Sequence, residues 1–108
     1  MDRRNRGQRL DADQLGAELG ERATLVQFSS AFCQPCRATR RTLIEVAGMV
    51  DGVTHIEIDA EDRLALVREL DITKTPTVLV LDAEGEVVRR ASGQPRTVDV
   101  VAALGHAI

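Results

Sequence analysis

The chain has 108 residues and a hydrophobic fraction of 44%, enough for one domain with a buried core and too short to expect a second. That core is aliphatic, because Phe28 and Phe32 are the only Phe, Tyr or Trp side chains, and no phenol or indole takes part in the chemistry. A net charge of −3 argues against nucleic-acid binding as the main task, since duplex binding needs a basic stripe to displace counterions.

Residues 1–9 set Arg3, Arg4, Arg6 and Arg9 against Asp2 and are expected as a basic, flexible, solvated tail, with the domain running over residues 10–108. A stub beside a membrane anchor and a phosphate-binding arm are the other readings of that tip. No stretch approaches the roughly 20 apolar residues that span a bilayer, and no apolar leader segment is present. The chain is therefore expected to be a soluble cytoplasmic monomer that needs no membrane contact, with a membrane-anchored parent left open.

Leu10 to Gly20 reads as a short helix. Asp11 and Gln14 have the spacing of a capping box, Leu10 can staple onto Leu15, Leu15 and Leu19 face inwards, and Gly20 ends it. Ala23 to Ser30 has the length and the Thr, Val and Phe content of a strand and runs straight into AFCQPC. From Gln34 or Pro35 to about Val50 the pattern turns helical, with Leu43, Ile44, Ala47 and Val50 inward and Arg37, Arg40 and Arg41 opposite; Pro35 suits the first turn. Val53 to Asp59 alternates as a strand, and Asp62 to Leu70 is a short helix with Leu64, Val67 and Leu70 on one side. Thr77 to Leu81 is a strand buried on both faces, Asp82 to Gly85 a turn, and Glu86 to Ala91 a returning antiparallel strand. Thr97 caps a last helix carrying Val98, Val101, Ala102 and Leu104. This order predicts an α/β fold: a central mixed sheet with helices on both faces and one hairpin at its edge.

Two cysteines separated by two residues close too small a loop to constrain the unfolded chain, so their use is chemical. At a strand-to-helix junction the unpaired amides and the helix dipole favour negative charge, which makes Cys33 the nucleophilic thiolate. Arg37, one turn on, either adds cationic stabilisation or is an ordinary solvated charge. Cys36 lies a turn later and is expected to be the more buried, resolving thiol. Zinc uses the same spacing but needs four ligands, and only His55 and His106 are available besides. No metal and no cofactor are expected.

VQFSSAFCQPC, the downstream EID, KTPT ahead of an apolar strand, DAEGEVV and Gly93 together resemble the thioredoxin superfamily over almost the whole chain from Leu10. The resemblance implies a cis Thr75–Pro76 bond beside the cysteines, with Thr75 offering its backbone to an extended substrate. It also marks departures. The buried aspartate of the family corresponds to Gln27, which is no base, and the neighbouring lysine to His55. His55 is expected either to take over part of the acid–base function or to be an ordinary strand histidine. Phe32 replaces the usual tryptophan as an apolar platform, and Gln34 stands between the cysteines where strong oxidants place histidine. The expected function is thiol–disulfide exchange that reduces protein disulfides, with a reductase or another dithiol as electron donor, in the service of redox homeostasis. A peptide- or metal-binding module with incidental redox activity, and a membrane-associated reductase of the cytochrome-maturation type, are the alternatives.

Overall fold

β1 (Ala23–Ser29) is buried along its whole length and lies inside the sheet. In the computed structural model, which describes residues 1–108, it pairs in parallel with β2 (Val53–Asp59) and antiparallel with β3 (Thr77–Asp82). β4 (Val87–Ser92) pairs antiparallel with β3, so the mixed sheet has the order β2-β1-β3-β4. A parallel pair requires a crossover, and α2 (Gln34–Met49) supplies it between β1 and β2. A 3-10 turn at Ala60–Asp62 and α3 (Leu64–Glu69) join β2 to β3, and α4 (Thr97–Leu104) follows β4. No helix is long and apolar enough to cross a membrane.

The pleat sends successive side chains to opposite faces and builds two cores. Val26, Phe28, Ile56, Ile58, Leu79 and Leu81 pack with Leu10, Leu15, Leu66 and Leu70 on one face; Ala23, Leu25, Val78 and Val80 pack under Leu43, Val46, Val100 and Leu104 on the other. On that second face the pattern changes along the strands. Leu25 is followed in the pleat by Gln27 and Ser29, and Val53 by His55 and Glu57, so the face turns polar towards the end where α2 begins.

Several elements depart from the sequence expectation. The capping box of Asp11 and Gln14 is present, but α1 covers only Ala12–Leu15 and ends at Gly16, whose φ of 74° is the left-handed stop. Gly20 serves another purpose: a β-carbon there would stand 2.1 Å from the Ala23 carbonyl, so only glycine fits. In α2 the buried positions are Cys36, Thr39, Leu43 and Val46, while Ile44 is exposed. In α3 Leu66 is buried and Leu64 exposed; in α4 Val100, Ala103 and Leu104 are buried and Val98 and Val101 exposed. Thr97 lies inside α4 and caps nothing, Arg96 being the cap position. The basic segment is not a free tail either. Asp2 and Arg90 exchange backbone hydrogen bonds, and Gly7 N–H and Gln8 C=O pair with Val87, so residues 1–9 run along the outer edge of β4 and satisfy its amides and carbonyls.

Candidate active site

The turn from β1 into α2 is tight enough to hold Phe32 at a φ of 59°, a region side-chain-bearing residues seldom occupy. Its ring is 97% exposed beside the following cysteine. Cys33 is the N-cap of α2, and its sulfur accepts the Cys36 N–H at 3.2 Å, the place a cap oxygen normally takes. Cys33 and Cys36 are joined as a disulfide with their Cα atoms 5.2 Å apart. Cys36 is 1% exposed and Cys33 half-buried, so an external sulfur reaches the bond from the Cys33 side. Gln34 and Pro35 form the exposed first turn, and Pro35 leaves no amide unpaired there.

Thr75–Pro76 is a cis bond with Pro76 buried. Ser30, at the end of β1, shares a hydroxyl hydrogen bond of 2.7 Å with Thr75 and ties that loop to the cysteine turn. The backbone N–H and C=O of Thr75 take part in no hydrogen bond within the molecule.

Beneath the disulfide lies a connected polar chain. Gln27, fully buried, donates from its amide nitrogen to the Cys36 carbonyl at 2.8 Å and to Ser29 Oγ at 3.0 Å. A backbone carbonyl only accepts, so the amide orientation is determined, and Gln27 Oε1 must accept from His55 Nε2, 3.1 Å away. His55 therefore carries its proton on Nε2. Burial lowers its pKa below the ordinary value, with Arg40 adding to the shift and Glu57 opposing it. Ser29 donates onward to Glu57 at 2.7 Å, and Arg40 grips the same carboxylate with two nitrogens at 2.7 and 2.8 Å. The Arg40 hydrogen bonds, more than any other contact, hold the Glu57 carboxyl below its usual range despite partial burial. A polar cavity of about 330 Å³ lined by Ser29, Arg40, Glu57 and Asp59 opens beside this chain.

The structure thus brings Cys33, Cys36, Gln27 and His55 to one end of the sheet, with Thr75 and Pro76 tied to the cysteine turn through Ser30. It links His55 to Gln27 and to neither cysteine. Arg37 is exposed, one turn beyond Cys33. The sequence alone assigns no site role to Ser29, Ser30, Arg40 or Glu57, and Arg40 reads there only as an outward charge of α2. Alternation of VTHIEID does place Glu57 on the His55 face, but the parallel register that sets it opposite Gln27 is a tertiary fact.

A family model described as a thioredoxin-like domain matches residues 11–108. Thioredoxin of Staphylococcus saprophyticus is 31% identical over 74 residues, 67% of this chain and 70% of that protein. Human thioredoxin domain-containing protein 2 is 34% identical over 70 residues, 65% of this chain but 13% of that protein, and the H-type thioredoxin of Ricinus communis is 28% identical over 58% of its length. The chain thus spans only a small part of the human protein and less than two thirds of the Ricinus one. Among solved structures, chloroplastic thioredoxin z superposes with a TM-score of 0.74 at 21% identity, covering 94% of each chain. Fasciola hepatica thioredoxin does so with 0.71 at 18%, covering 90% of this chain and 88% of that one, a likeness of fold.

Proposed function

The chain belongs to the thioredoxin-like domain family and carries a redox-active CxxC disulfide, and on that footing we propose that it reduces disulfide bonds in protein substrates. One observation carries the reading: a half-exposed sulfur capping a helix, bonded to a buried one a turn away. In the dithiol state the Cys36 N–H and the helix N-terminus stabilise a Cys33 thiolate. That thiolate attacks a substrate disulfide, forming a mixed disulfide and releasing one substrate thiolate. Cys36, deprotonated, then attacks Cys33 Sγ, reforming the intramolecular bond and releasing the second substrate thiolate. Two electrons pass to the substrate, and an external dithiol or a reductase returns them.

The unpaired N–H and C=O of Thr75 support its role as the short edge on which an extended substrate pairs. Reduction is favoured over oxidation because Gln34 supplies no cation between the cysteines to hold Cys33 strongly acidic. Equilibration of the dithiol and disulfide against glutathione tests the direction: a potential near about −270 mV supports a reductase, and one near about −120 mV overturns it. An insulin-reduction assay tests the activity, with Cys33→Ser expected to be inert. Equal turnover by that variant removes Cys33 from the mechanism.

A further inference from the structure

Arg37 and Arg41 stand four residues apart on α2 and form one ridge along its outer surface, and Cys33, four residues before Arg37, is the N-cap of the same helix. Long side chains on a helix lean towards its N-terminus, which lays Arg37 over the turn that presents Cys33 and Arg41 over the turn behind it. Both arginines are exposed and neither is paired: the ion pairs of the molecule are Arg40 with Glu57 and Arg96 with Asp99. Glu45, next on the same ridge, makes no ion pair with Arg41, and the first turn of α2 holds no acidic residue.

Like charges at this spacing weaken a helix, and cations near a helix N-terminus oppose its dipole. Folding gains nothing from the pair, in a chain whose net charge is −3. The surplus positive charge is also directional. Beyond β2, on the other side of the polar cavity, the surface is acidic: Asp59, which caps the 3-10 turn through Glu61 N–H, then Glu61 and Asp62, all exposed. Arg40, the remaining cation of this helix half, is already neutralised by Glu57.

We propose that the Arg37–Arg41 ridge selects disulfides flanked by carboxylates, so that the preferred disulfide client lays an acidic segment along α2 while its sulfurs meet Cys33. This rests on the reductase reading and adds a substrate class to it. The covalent steps are those already described; the ridge acts on approach and orientation.

The test uses the reduced full chain and three small disulfides: oxidised glutathione, which is anionic, hydroxyethyl disulfide, which is neutral, and cystamine, which is cationic. Each rate constant is divided by that of the same disulfide with dithiothreitol, removing intrinsic reactivity. The anionic-to-cationic ratio is expected to exceed one at low salt and to fall as salt screens the ridge. Arg37→Gln combined with Arg41→Gln should lower that ratio by roughly three- to ten-fold, while Arg37→Lys with Arg41→Lys keeps it. Using a ratio cancels any effect of Arg37 on the reactivity of the thiolate itself. A ratio insensitive to salt, or unchanged in the double glutamine variant, overturns the inference and leaves the reductase reading standing. If no disulfide reacts faster than with free cysteine, the reductase reading falls and takes the inference with it.

Discussion

At the scale of single residues the site is organised by what Gln27 can and cannot do. An amide has donors to hold the Cys36 carbonyl and Ser29 and an acceptor for His55, but no lone pair basic enough to take a thiol proton. The titratable partner in this buried cluster is the imidazole, and its environment sets a pH dependence of stability whose sign follows from burial. The native ring has a pKa lowered from the ordinary 6.5, so between 6.5 and that lower value the unfolded chain binds the proton more readily. Stability is unaffected by His55 above this window and is lost as pH falls through it. Glu57 acts lower down: its carboxyl is held below the ordinary 4.5 chiefly by Arg40, so its contribution is present above 4.5 and lost as pH falls further. His55→Gln retains a nitrogen donor for Gln27 Oε1 without the titration. Urea midpoints measured from pH 7 to pH 5 should therefore fall less steeply for this variant than for the unaltered chain. An identical slope would show that the ring is not protected from protonation.

At the scale of elements, patterns that depend on neighbouring residues were legible, and those that depend on distant packing were less so. The strands, the hairpin, the capping box and the CxxC at a strand-to-helix junction all lie in consecutive residues. The inward faces of α2 and α4 do not. Leu43, Ile44, Ala47 and Val50 satisfy helical spacing, yet Cys36 must turn inward beneath Cys33, and that rotates the buried stripe onto Cys36, Thr39, Leu43 and Val46. Thr39 is disguised by its hydroxyl, which it satisfies locally by donating to the Pro35 carbonyl at 2.7 Å. Two adjacent aliphatic residues thus have opposite surroundings. Leu43→Ala should cost roughly 2–5 kcal/mol in urea unfolding, since it empties space in a packed core, while Ile44→Ala should stay within about 0.5 kcal/mol. Similar costs at both positions would mean that the helix is turned differently against the sheet.

At the scale of the molecule, the disulfide sits at one end of β1 while β4 forms an edge separated from β1 by β3. That edge is where the N-terminal segment packs, and composition hid it: four arginines against one aspartate read as a solvated tail, whereas the backbone of the segment makes the pairing. Arg90 explains why the segment is held. Its guanidinium is buried, donating from Nη1 to the Leu70 carbonyl at 2.7 Å and to the Asn5 side chain, and from Nη2 to the Asp71 carbonyl at 2.9 Å. Nε has no partner, and burial lowers the pKa of the group. One cation on β4 thus joins the N-terminal segment to the loop after α3. Deleting residues 1–9 removes the Asn5 acceptor and the backbone pairing with Arg90 and Val87, and bares the β4 edge. The shortened chain is expected to lose roughly 2–4 kcal/mol in urea unfolding, from buried groups left unsatisfied, and to self-associate with rising concentration in sedimentation through the exposed strand. Its disulfide exchange with a neutral small substrate should persist wherever it remains folded, because no hydrogen bond of this segment reaches the cysteine turn. A truncated chain as stable and as monodisperse as the whole one would return residues 1–9 to the role of solvated tail.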